Sequence, residues 1–196
     1  LGFRCVRPKA VSHCIIWTDT IRLYIYRQQI MPLNNCLYLV CGMAGAGKST
    51  LAKKLESTHS AVRLCPDEWI EPLLLNKVDR TEMDRIRPHI DFLQWTLAQR
   101  LLSLGNNVVW EQGFWHAEER KKYLAGARSI GSRVALHYID LPISVLKERV
   151  KLRNKELPFG SFHIDPDEID TWMTWFHPPD ETELLSYDEC EIYKHT

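Results

Sequence analysis

Residues 34–56 read NNCLYLVCGMAGAGKSTLAKKLE, and the fold is decided there. The apolar run Cys36–Cys41 has the composition of a strand buried on both faces. It meets a cluster of glycines, then a lysine and two hydroxyls. The pattern that follows places Leu51, Ala52 and Leu55 on one helical face and Lys53, Lys54 and Glu56 on the other. Gly42-x-x-x-x-Gly47-Lys48-Ser49 has the spacing of a phosphate-binding loop, with the required strand before it and helix after it. Glycines let backbone N–H groups turn inward and approach phosphate oxygens closely. A helix begun at Lys48 aims the positive end of its dipole at the same anion. The residues expected to hold a nucleotide are Gly42, Ala44, Gly45, Ala46, Gly47, Lys48, Ser49 and Thr50. Lys48 would reach the β- and γ-phosphates of ATP, and the Ser49 hydroxyl would bind Mg²⁺.

Outward from the loop, strand and helix patterns alternate. Residues 61–65 (AVRLC), 107–110 (NVVW), 133–139 and 187–193 read as strands, the first of them ended by Pro66. Residues 81–104 read as a long amphipathic helix on the stripe Ile86, Ile90, Leu93, Leu97, Leu101 and Leu104, with Pro88 as a point of kinking and Gly105-Asn106 as its stop. Residues 142–153 and 166–176 read as further helices, and 154–164 as a loop. Helical stretches between strands imply βαβ units and a parallel sheet covered on both faces, a three-layer α/β/α sandwich.

A chain of 196 residues is long enough for one such domain. Lysine plus arginine equals aspartate plus glutamate, 25 each, so there is no general attraction to nucleic acid or to an anionic membrane, and neither is an expected partner. No stretch reaches the roughly 18 apolar residues of a membrane-spanning helix. The six cysteines (Cys5, Cys14, Cys36, Cys41, Cys65, Cys190) form no C-x-x-C pair and read as free thiols in a reducing cytoplasm. The eight histidines show no metal-ligand spacing, and His137 reads as a satisfied core residue.

In a parallel sheet the functional loops gather at the carboxyl ends of the strands. Asp67 follows the strand 61–65, where it is either a base beside an acceptor hydroxyl or a helix cap, with Glu68 as a rival base. Glu111 ends the strand 107–110 and is either a carboxylate assisting Mg²⁺ or a structural group, and Gln112 beside it could equally meet a substrate. Arg149 and Arg153, four apart on one helical face, lead into NKELPFGSFHID, which reads as a lid; they are either phosphate ligands or a solvated basic face. Arg120 follows a strand end and is a candidate for substrate or phosphate. Trp69, Phe114, Trp115 and His116 would either stack on a ring-bearing substrate or pack in the core, which is the reading favoured for Trp69.

Five stretches, CGMAGAGKSTLAKKL, RLCPDEWI, VVWEQGFWHAEER, LHYIDLPISVLKERVKLRN and FHIDPDEIDTW, carry a resemblance over about residues 35–190. The chain resembles the small P-loop kinases of the group that contains chloramphenicol phosphotransferase, zeta toxin, gluconate kinase and the 5′-kinase domain of polynucleotide kinase. Within that group it looks most like predicted-kinase and ATP-binding proteins, those described as AAA-type ATPases among them. The resemblance implies a P-loop NTPase fold of the nucleoside-kinase type. It also implies an Asp67 that takes the proton of the acceptor hydroxyl, lid arginines at Arg149 and Arg153, and substrate contact at Arg87. Trp115 and Arg120 complete the expected substrate residues, and Ser49 with Glu111 the expected metal residues. Residues 31–196 would form the kinase domain, with a lid near 149–165. Residues 1–30, basic but for Asp19, would be an appendage, either without fixed structure or adding a strand. The expected activity is transfer of the γ-phosphate of Mg·ATP to a hydroxyl of a small molecule in the cytoplasm. The alternatives are a 5′-hydroxyl polynucleotide or nucleoside kinase, or an ATP-binding switch with slow hydrolysis. No signal for an oligomeric state is present.

Overall fold

A computed structural model of the chain describes residues 34–74 and 80–195. The expected N-terminal appendage, residues 1–30, lies outside the described residues. Five strands are described: β1 (Cys36–Gly42), β2 (Val62–Leu64), β3 (Val108–Gly113), β4 (Arg133–Asp140) and β5 (Glu189–Lys194). All pair in parallel, in the order β2-β3-β1-β4-β5. The seven residues of β1 are all buried, as a strand with neighbours on both sides and helices on both faces must be. β5, at one edge, is mostly exposed and carries Glu189, Glu191 and Lys194, charges that discourage pairing with another chain.

Seven helices flank the described sheet: α1 (Lys48–His59), α2 (Pro66–Leu73), α3 (Arg80–Ser103), α4 (Ala117–Ser129), α5 (Ile143–Arg153), α6 (Glu168–Trp175) and α7 (Glu181–Leu184). The result is the expected three-layer α/β/α sandwich. The chain steps from β1 outward to β2, returns through β3, and crosses to β4 on the far side of β1. The loops after β1, β2 and β3 therefore open at the same end of the sheet, the usual place for a ligand in such folds.

Three local expectations are corrected. α3 runs through Pro88 as one helix, but its buried face is Met83, Ile90, Gln94, Ala98 and Leu102, while Leu93 and Leu104 of the expected stripe stand in solvent at 52% and 77% exposure. α4 has a largely polar surface, and it was not expected as an element. His137 is buried but half-satisfied, its Nδ1 bonded to the Tyr193 hydroxyl at 2.9 Å and its Nε2 left without a partner. Cys36, Cys41 and Cys65 are buried free thiols, and Cys190 is exposed and free. Among the described residues no helix is long and apolar enough to cross a membrane.

Candidate active site

The phosphate loop is the turn between β1 and α1. Gly45 and Gly47 hold φ of 80° and 100°, a region that side chains disfavour. A Cβ on Gly45 would lie 2.8 Å from Val150 Cγ2 and 2.9 Å from Leu146 O, so the loop rests directly on α5. Ala46 N donates to Met43 O at 3.2 Å, and the Lys48 ammonium donates to the same carbonyl at 3.0 Å, folding back over the loop. Burial pulls the Lys48 ammonium below the usual lysine range; Glu111 and Asp67 favour its charge and Arg153 opposes it. Four groups named from separate stretches of sequence thus act on one another's charge.

β3 carries Glu111 to the loop. Its register with β1 slips at Gln112, where Val40 pairs with Glu111 but Cys41 with Gly113, and such a slip re-aims a strand end. The Ser49 hydroxyl donates to Glu111 Oε1. Arg63 Nη1 donates to Glu111 Oε2 at 3.0 Å. Burial raises the Glu111 carboxyl above the usual range, while Ser49, Lys48 and Arg63 hold it down. A hydroxyl and a carboxylate side by side are the hard oxygen donors that Mg²⁺ takes together with phosphate and water. Among the described residues no group of three or more His, Cys, Asp or Glu could hold a metal unaided. The pair therefore fits a Mg²⁺ that arrives with a nucleotide.

Asp67 lies in the first turn of α2, whose N-cap is Cys65, so the cap reading does not hold. Its carboxylate is 37% exposed, and Oδ1 accepts from Arg87 Nη1 at 2.6 Å. Glu68, the rival base, takes Arg63 Nη2 at 2.6 Å. Arg87 also lies 4.0 Å from Asp91 Oδ2. Gln112 Nε2 donates to Asp91 and to Glu119, each at 3.0 Å. Burial pushes the Asp91 carboxyl up to about 6 and raises Glu119 as well. A polar chain thus runs from Asp67 on α2 through Arg87 and Asp91 on α3 to Gln112 on β3 and Glu119 on α4.

Of the two arginines expected in a lid, Arg149 touches the phosphate loop and Arg153 touches the segment after α5. Arg149 Nη1 donates to Ala46 O at 3.1 Å. Arg153 Nη2 donates to Phe162 O at 3.2 Å, and its buried Nε has no partner. Burial lowers the Arg153 guanidinium, against the field of Asp67. Beyond Arg153 the chain turns back over α2. Asn154 holds the base of this segment through Ile164 O at 2.7 Å, and Gly160 N donates to the Glu71 carboxylate. Phe162 closes a small core with Ile70, Met83 and Ile90.

Not every expected residue reaches the site. Arg120 has no solvent exposure: Nε and Nη2 hold the two Glu183 oxygens at 2.6 Å each, and Nη1 serves Phe114 O at 2.9 Å and His177 O at 2.8 Å. With its donors turned to the protein it is not open to a substrate. Arg87 does reach the site, where it holds Asp67 and is 31% exposed. Trp115 packs against Trp172, ring centroids 5.6 Å apart, and Phe114 is buried against Trp110 and Tyr123. Trp69, read as core, is 37% exposed. Arg63, Asp91 and Glu119 were not singled out as site residues. The signals for the first two were a lone cation inside the strand AVRLC and the spacing of four between Arg87 and Asp91.

Residues 37–179 match the sequence model of the family described as AAA domain. Nothing among curated proteins matches the chain. Among solved structures, a candidate kinase from Chloroflexus aurantiacus J-10-fl is similar with a TM-score of 0.67 and 18% identity, covering 83% of this chain and 89% of that one. A chain from the PezAT toxin–antitoxin system of Streptococcus pneumoniae has a TM-score of 0.65 and 16% identity, over 95% and 80% of the two chains. A gluconokinase from Sinorhizobium meliloti 1021 has a TM-score of 0.54 and 16% identity, over 84% of each. At these identities the shared property is the fold, a kinase-like P-loop fold.

Proposed function

The chain belongs to the AAA-domain family, and on that premise we propose that it is an ATP-dependent phosphotransferase that moves the γ-phosphate of Mg·ATP to a hydroxyl of a small molecule. The observation that carries this reading is that the Lys48 ammonium, buried over the phosphate loop, lies in the fields of Glu111, Asp67 and Arg153 together. A loop that only holds nucleotide needs the first two. An exposed carboxylate and a lid cation facing the same place are what transfer to an alcohol requires. Two of the structural relatives are described as kinases, one of them for gluconate, which supports an alcohol acceptor.

In this reading the loop N–H groups receive the phosphates, and Lys48 exchanges Met43 O for a phosphate oxygen. Ser49 and Glu111 would hold Mg²⁺, which when bound draws charge from the phosphate oxygens. Arg149 and Arg153 offer planar donors to charge spreading over the transferred group. Asp67 orients the acceptor hydroxyl and takes its proton through Oδ2, since Oδ1 is held by Arg87.

The test is ADP release in the presence of Mg²⁺ across hydroxyl-bearing metabolites and antibiotics, with wild type, Lys48→Ala and Asp67→Asn side by side. One compound should stimulate turnover and appear phosphorylated. Lys48→Ala should lose turnover together with nucleotide affinity. Asp67→Asn should keep nucleotide binding and lose about 10²–10⁴-fold in transfer. Acceptor-independent hydrolysis, untouched by Asp67→Asn, would overturn the assignment in favour of a switch.

A further inference from the structure

Arg63 stands in the middle of β2, one strand away from the phosphate loop, and the reaction just described does not use it. Its side chain is 10% exposed, yet it meets three carboxylates from three elements. Nη1 donates to Glu111 Oε2 on β3 at 3.0 Å, Nη2 to Glu68 Oε1 on α2 at 2.6 Å, and Nε lies 3.5 Å from Glu56 Oε2 on α1. Its backbone N–H also points at Glu56 Oε1, at 3.3 Å. Only a guanidinium has donors spread widely enough in one plane to serve several carboxylates at once.

We propose that Arg63 is a positioning residue: it fixes which oxygen of Glu111 faces Ser49 and the phosphate loop, and it locks that carboxylate to the helix that carries Asp67. This rests on the phosphotransferase reading of the site. Glu111 has two oxygens. Arg63 occupies Oε2, so Oε1 alone is presented to the Ser49 hydroxyl. A buried carboxylate without such a partner is free to rotate and is costly to keep charged. Outer partners of this kind set the orientation of metal-binding groups, and their loss typically lowers metal affinity about 10–100-fold.

The second leg gives the arrangement its reach. Glu68 is the residue after Asp67, so the Arg63–Glu68 pair fixes the first turn of α2, where the base sits. Glu68 also lies under the lid: a Cβ on Gly160 would come within 2.5 Å of Glu68 Cγ. Arg63 therefore joins the metal side of the site, the base-bearing helix and the underside of the lid through one rigid group.

The experiment uses the full chain and an N-methylanthraniloyl-ATP fluorescence titration, with Mg²⁺ and with a chelator instead. Wild type should bind the nucleotide more tightly with Mg²⁺. Arg63→Met should bind metal-free nucleotide as wild type does but lose about tenfold or more of the Mg²⁺-dependent gain. Arg63→Lys keeps the charge but not the fork, and it should recover only part of that gain. Should Arg63→Met not fold, Arg63→Lys, which keeps the charge without the fork, and Glu68→Gln, which weakens the α2 leg alone, carry the same reading. Unchanged Mg²⁺ dependence in the folded variants would overturn this inference while leaving the phosphotransferase reading standing. Failure of wild type itself to bind the nucleotide would overturn both.

Discussion

Asp91 is a carboxyl whose proton is set by its surroundings. Burial lifts it to about 6 from an ordinary value of 3.8; Asp67 adds to the rise, and Arg87 and Lys122 oppose it. Glu119 is joined to it through Gln112. The folded state thus holds a proton between pH about 4 and 6 that the unfolded chain has released, so this group's contribution to stability is complete below about 4 and is lost as pH rises to about 6. Asp91→Asn keeps an acceptor for Gln112 and removes the titration. Urea unfolding at pH 4, 5, 6 and 7 should show the variant gaining on wild type progressively across that window, by on the order of 2 kcal/mol at its upper end. A constant offset at all four values would contradict a raised Asp91. At this scale the sequence disclosed what lies within a motif, because Gly45, Lys48 and Ser49 are placed by their neighbours in the chain. It did not disclose Asp91 as a site residue, because its raised carboxyl comes from burial and from charges on α2, α3 and α4 that meet only in the fold.

Residues 154–164, the expected lid, have no regular structure, and their shape comes from what they touch. Asn154 fixes the base, Gly160 bonds Glu71, and Phe162 is buried with Ile70, Met83 and Ile90. Phe162→Ala empties the centre of that small cluster. The expected result is local: opening of residues 154–164 becomes easier by on the order of 2–3 kcal/mol, below the full core cost because the site can collapse or open. Limited proteolysis within the segment should then speed up about 30–100-fold at unchanged midpoint of global unfolding, and equal cleavage rates would show that the lid does not rest on Phe162. The same scale explains which elements the sequence revealed. CLYLVC and NVVW are strands because nothing but a doubly covered sheet suits such runs. The expected stripe of α3 holds at Ile86, Ile90, Leu97 and Leu101, which are buried or pack against the core, and fails at Leu93 and Leu104. Trp95 stacks on Trp110 at 5.3 Å, Gln94 and Ala98 are buried, and Leu93 and Leu104 face water. α4 escaped notice because one of its buried positions is an arginine, Arg120, rather than an apolar residue.

That arginine matters most for the whole molecule. Arg120 links the turn after β3 through Phe114 O, the segment after α6 through His177 O, and α7 through Glu183. The strand order places β3 beside β1, and β5 at the far edge beyond β4; the C-terminal part of the chain is also tied to the turn after β3 by His177 N donating to Trp115 O at 2.8 Å and by Trp172 against Trp115. Arg133–Glu189, at 2.5 Å, joins the first residues of β4 and β5, at the end of the sheet opposite the site, and being exposed it is worth little. The overall fold was legible because strand–helix alternation admits few parallel topologies. The clamp was not, because it depends on residues 6, 57 and 63 positions apart meeting at one buried guanidinium. Arg120→Met fills much of the same space but leaves the Glu183 carboxylate and two carbonyls without their partner. Breaking a buried pair from one side costs about 3–5 kcal/mol. Urea unfolding of Arg120→Met should show a loss of that size, and Glu183→Gln, which keeps an acceptor for Arg120, should show a smaller one. If Arg120→Met were as stable as wild type and Glu183→Gln were not, Glu183 would act through Tyr187, whose hydroxyl it accepts at 3.2 Å, and the C-terminal segment would be held by a tyrosine rather than by the arginine.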